Sequence, residues 1–207
     1  MQKLTTVCML AAALALGACQ KAQIAEPLTE STAGNDVDSQ MNFWHTLATR
    51  SMCSNDEAFH ALLLYADGED PAEDYAGRVA VLKERGWLHE GFDGQANEAV
   101  SRGTLAVVLA SRLEIDGGVM MRLLGPTPRY ATRELSYMGI FPPSSPNQTF
   151  SGNEILGIIG RVEDYERVNP AQASAKMLPE ALEDVQEQKQ RPAEEQAADE
   201  AADDADE

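Results

Sequence analysis

A hydroxyl followed at once by a guanidinium, Ser101-Arg102, opens the run "SRGTLAVVLASRL". Serine is a strong helix N-cap because its oxygen accepts from an amide that the helix leaves unpaired. Arginine in the first turn is harder to place, since the helix dipole favours anions there. Together the two residues could do recognition chemistry, because a cation at a helix start could help grip something anionic. The competing reading leaves Arg102 as a solvated or salt-bridged surface residue. Arg78, Arg112, Arg129 and Arg133 are further cations, but nothing in their spacing brings them to Arg102.

Other reactive types are scattered. His45, His60 and His89 lack the spacing of metal ligands and read as structural or exposed. Asp67, Glu69, Asp70, Glu73 and Asp74 crowd "ADGEDPAEDYAG" without the ligand order of a calcium loop, which predicts a solvated loop feeding a helix start. Cys53 has no Lys, His or second Cys beside it to activate it and reads as a partly buried residue before a helix. Nucleophile elbow, phosphate loop and zinc-protease motifs are missing from the chain. The residues therefore predict a non-enzyme with no catalytic residue, metal or cofactor.

The elements that would carry Ser101 and Arg102 recur. Ser54-Asn55-Asp56-Glu57 is a capping box, with Phe59, Leu62 and Leu63 following on one face. Ser151-Gly152-Asn153-Glu154 repeats it ahead of Ile155, Ile158, Ile159 and Val162. Ser101 stands between them, and the three serines lie 47 and 50 residues apart. That recurrence predicts tandem supersecondary units. A helix precedes each of the later boxes: Tyr75, Val79 and Leu82 share one stripe with Gly86 closing it, and Thr127-Pro128 opens another that Gly139 closes. Phe43, Trp44 and Leu47 supply the corresponding helix before Ser54. The pattern predicts an all-α domain of three helix-loop-helix units over about residues 41–168.

This outline resembles the S-layer homology domain, in which a helix, a loop and a second helix opened by a Thr-Arg-Ala-Glu-like motif repeat. "LKERGWL…AVSRGTLAVVL" and "LSYMGIF…TFSGNEILGII" follow it over about residues 70–165, with a truncated copy at 41–66. Ser101-Arg102 matches the motif's hydroxyl and arginine, and Glu57 and Glu154 match its acid. Gly103-Thr104, Asn55 and Gly152 depart from it. The resemblance implies grooves that bind anionic cell-wall polysaccharide, with Ser101 and Arg102 as ligand-binding residues.

The N-terminus carries an address. Lys3 precedes an apolar run, Val7 to Leu16, which is too short to span a membrane and is read as a secretory signal. "LGAC", Leu16 to Cys19, resembles the bacterial lipobox, and that resemblance implies a lipid on Cys19 after removal of residues 1–18. Gln20 in place of Asp slightly favours the outer membrane on the same resemblance. Cys8 leaves with the signal and Cys19 takes the lipid, so the 3 cysteines leave Cys53 with no intramolecular partner.

Residues 19–40, small and polar, read as a disordered tether. Residues 169–207 read as a disordered acidic tail: eight acids and no base follow Pro192, part of a net charge of −18. Such charge excludes a nucleic-acid partner, whose phosphates need Lys and Arg. The expected function is a lipid-anchored, non-catalytic envelope protein that binds cell-wall glycan. The alternative is an envelope adaptor or assembly factor that binds a protein partner and has no glycan site.

Overall fold

Where a helix begins inside a protein, its first amides need partners, and here other segments of the chain supply them. A computed structural model describes residues 21–24, 28 and 32–169. Among these, seven helices follow in order: α1 (Val37–Thr49), α2 (Asn55–Asp67), α3 (Tyr75–Glu84), α4 (Arg102–Arg112), α5 (Val119–Leu124), α6 (Pro128–Tyr137) and α7 (Gly152–Val168). Three isolated antiparallel bridges form no strand, so the described fold is all-α.

The three serines predicted as caps all cap. Ser54 accepts from the Glu57 amide while Glu57 accepts from the Ser54 amide, completing the box at α2. Ser151 and Glu154 repeat that exchange at α7, and the Ser101 hydroxyl accepts from the Thr104 amide at α4. The first helical amide of each then donates to a different unit. Asn55 donates to the Glu98 carbonyl at 2.8 Å, Arg102 to Gln148 at 2.7 Å, and Gly152 to Arg50 at 2.9 Å. The three bonds close a ring, first unit to second, second to third, third back to first.

Inside that ring lie Cys53, Val100 and Phe150, the residues just before the three caps, each 0 % exposed. The Val100 amide donates to the Cys53 carbonyl and the Cys53 amide to Phe150, both at 2.9 Å. A backbone hydrogen bond contributes about 1 kcal/mol net, but a buried amide left unpaired costs about 1–3 kcal/mol. The ring thus determines how the units can meet.

Around this hub the apolar faces close. Phe141 meets Phe150 edge to face, and Phe59 packs between Tyr75 and Phe92. Leu62, Leu105, Leu135 and Ile155 are buried from four different helices. Full burial of each such side chain stabilises by about 1.5–3 kcal/mol. Gly86 and Gly139, at φ 67° and 76°, end α3 and α6 in the left-handed conformation that a side chain disfavours.

The expected boundaries shift in places. α1 begins at Val37, four residues before the expected domain edge, capped by Asp36. Residues 21–24 of the expected tether pair with the loop before α4: Ile24 donates to Asn97, and the Ala22 carbonyl accepts from Ala99. α5 lies in a stretch that the periodicity left unassigned. One compact unit runs to Arg161, and a second begins at Val162, where Arg167 pairs with Glu163 and Asp164 along the last turns of α7. The expected signal (1–18), Cys19 and the stretch 170–207 of the acidic tail fall outside the described residues.

Candidate functional site

Arg102 turns away from its own helix start. Its Nη2 donates to Glu154 Oε1 at 2.6 Å and its Nε donates to the Thr149 carbonyl at 3.2 Å. Its guanidinium also lies 4.5 Å from the centre of the Phe150 ring. Glu154 is the box acid of α7, so the cation sits near the start of a neighbouring helix with an acid between. Burial would raise the Glu154 carboxyl, but hydrogen bonds from the Ser151 amide and hydroxyl, with the charge and hydrogen bond of Arg102, hold it below its ordinary value. Ser101 is occupied by its cap bond and by the Thr104 hydroxyl at 2.8 Å.

Arg50 makes a parallel contact one unit earlier, donating from Nε to Glu57 Oε1 at 2.8 Å. Two capping acids thus each receive an arginine. Gly152 permits the tight junction at α7: a Cβ there would stand 1.6 Å from the Leu47 carbonyl oxygen.

A second polar cluster lies under α1, α2 and α3. His60 Nδ1 lies 2.5 Å from Asp70 Oδ2, and Arg78 donates from Nε to that same oxygen and from Nη1 to Asp56 at 2.8 Å. His60, Asp70, Arg78 and Asp56 are all buried, which corrects the expectation of a wholly solvated loop at Asp70. The Asp70 amide and carbonyl exchange hydrogen bonds with the Asn35 side chain, and the Ala72 amide donates to Oδ1. Burial alone would raise Asp70, yet the His60 and Arg78 hydrogen bonds outweigh it and hold the carboxyl below its ordinary value. At Asp56 burial prevails over Arg78, and the carboxyl is raised.

An Asp-His pair of this kind can serve as a base when the far imidazole nitrogen is open. Here both side chains are fully enclosed, so no reactant reaches His60 Nε2 in this conformation. The quartet instead ties the loop before α3 to α2. Sequence reasoning passed over it because Asp56, His60, Asp70 and Arg78 come together only when the two helices pack; the (i, i+4) spacing of Asp56 and His60 was the sole local signal.

The other named residues disperse. Arg112 lies over Tyr65 at 4.9 Å and over Trp87 at 5.9 Å, while Arg129 and Arg133 are exposed on α6. Cys53 is sealed in the hub, and burial pushes its thiol up to about 12. Among the described residues, no group of three His, Cys, Asp or Glu side chains is arranged to hold a metal ion.

The surface leaves apolar groups outside. On α1, Val37, Met41, Trp44 and Ala48 form a row at helical spacing, with Val37 79 % and Met41 52 % exposed. On α5, Val119, Met120, Leu123 and Leu124 are exposed while Met121 alone is buried. Among the described residues no helix is long and apolar enough to cross a membrane.

Compared with known protein families, curated proteins and solved structures, the chain matches none. That result corrects two resemblances drawn from the sequence. Neither the bacterial lipoproteins nor the S-layer homology domain is supported as a relative, and short motifs around single serines and cysteines lack the length to establish one. What stands is an all-α domain of tandem helical units.

Proposed function

We propose that this chain is an exported, non-catalytic envelope protein whose helical domain is an adaptor for a protein partner. The observation that carries the reading is the apolar row on α1, with Val37, Met41 and Ala48 exposed and Trp44 half-buried between them. An outward apolar stripe at this spacing suits packing against another protein's helix or groove. The row contains no cation for an acidic glycan, and the flanking Asp36 and Asp38 would repel one. Arg102 already donates to Glu154 and Thr149 and lies over Phe150, which favours the protein partner over the glycan alternative. Lys3 and the short apolar run from Val7 to Leu16 support export.

The test is a photo-crosslinking amino acid at position 41 in living cells, with position 42 as the control. The reading expects one protein adduct from position 41 that disappears with Val37→Glu. Adducts of equal yield from both positions would count against it. Pelleting with cell walls that is lost in a folded Arg102→Ala variant would restore the glycan alternative.

A further inference from the structure

We propose that α5, with the start of α6, is a contact surface for an anionic lipid bilayer. Two independent features meet here, one apolar and one electrostatic. Val119 is 81 % exposed, Leu123 75 % and Leu124 57 %, with Met120 beside them, an unusual exposure for four large apolar residues in one six-residue helix. From Val119 to Arg133 the chain carries Arg122, Arg129 and Arg133 and no acid, within a protein of net charge −18. Arg129 and Arg133 are exposed one turn apart on α6, which packs against α5, and Tyr137 follows a turn later at 88 % exposure.

The position of Arg122 bears on the occupant. It borders the apolar patch, about 60° round the helix from Val119, with its side chain 67 % exposed and a 3.6 Å contact to Asp116. A protein groove closing over this helix would have to desolvate that guanidinium. A bilayer surface does not, because the aliphatic stem lies along the apolar region while the head stays among lipid phosphates. Tyrosine suits the same boundary. The acids nearest in the chain are Glu114 and Asp116, exposed just before α5, and half-buried Glu134 on α6; of these Asp116 lies 3.6 Å from Arg122. This surface is separate from the α1 row, and its contact with lipid does not depend on Cys19.

The experiment uses the full chain with Cys19→Ser and Leu14→Asp, so that the N-terminal apolar run cannot itself account for vesicle binding. Co-sedimentation is measured with vesicles of phosphatidylcholine alone and of phosphatidylcholine with about a third phosphatidylglycerol, since each arginine near such a surface adds about fivefold. The expected result is salt-sensitive binding to the anionic vesicles, lowered about a hundredfold by Arg122→Glu, Arg129→Glu and Arg133→Glu together. Leu123→Asp with Leu124→Asp should abolish it, with unchanged circular dichroism because both side chains are exposed. Anionic binding that survives the leucine substitutions would overturn the proposal. So would an absence of vesicle binding, or a concentration-dependent dimer that the same substitutions dissolve.

Discussion

Arg102, the first residue of α4, donates to the Glu154 carboxylate of α7 at 2.6 Å, although 52 residues separate them in the chain. The contact joins two helix starts. Glu154 already accepts from the Ser151 amide and hydroxyl, so one carboxylate completes a local cap and receives a distant cation. In the first unit Glu57 likewise completes its cap and receives an arginine, Arg50, which follows the end of α1 seven residues earlier.

Arg102→Ala should therefore lower stability as well as change the surface. The lost hydrogen bonds and ring contact amount to about 1–2 kcal/mol, discounted because the Glu154 side chain is 40 % exposed. A thermal melt followed by circular dichroism should fall by several degrees. An unchanged melting temperature would mean that the pair is not structural and would reopen Arg102 as a ligand group.

Arg78→Met should be among the most damaging single substitutions. It leaves the Asp70 and Asp56 carboxylates buried without their cation, a loss of about 3–5 kcal/mol. Adding Asp56→Asn and Asp70→Asn should restore part of that in urea titrations. A triple variant no more stable than Arg78→Met would argue that packing, and not charge, dominates the site.

Acid stability should depend on the same quartet. Asp70 has a lowered value in the fold, so its contribution is present above its ordinary 3.8 and is lost as pH falls through the lower folded value. Asp56 is raised and acts oppositely: its contribution is present below 3.8 and is lost as pH rises through the folded value. Urea midpoints should therefore rise slightly on mild acidification and fall below about pH 3.8. Asp70→Asn should flatten the fall, and Asp56→Asn the rise. Parallel curves for wild type and both variants would refute the assignment.

Two glycines of α7 should separate sharply. Gly152→Ala forces a Cβ against the Leu47 carbonyl oxygen, 1.6 Å away, and should cost about 3 kcal/mol or more. Gly160→Ala meets nothing within 4 Å and should gain up to about 1 kcal/mol of helix propensity. Equal effects in denaturant titrations would show that the α1–α7 junction relaxes.

Much of the helical framework was legible because its signals are local. Ser54, Ser101 and Ser151 each cap through an amide three residues ahead, and Gly86 and Gly139 end helices through their own backbone freedom. α5 escaped because six residues between glycines carry no measurable period. The acidic loop misled for a different reason: Asp70 sits among acids in sequence, yet its neighbours in space are His60 and Arg78.

By itself, then, the sequence determined the helical class, the repeat and most helix starts, since each depends on groups within one turn of each other. Tertiary structure alone decided that Asn55, Arg102 and Gly152 close a ring of hydrogen bonds between units, and that Arg102 meets Glu154. It also decided which apolar residues remain outside: Val37 and Leu123 carry the same hydropathic signal as buried Leu47 and Leu62. Burial depends on what the rest of the chain brings to a surface. No window of sequence contains that information.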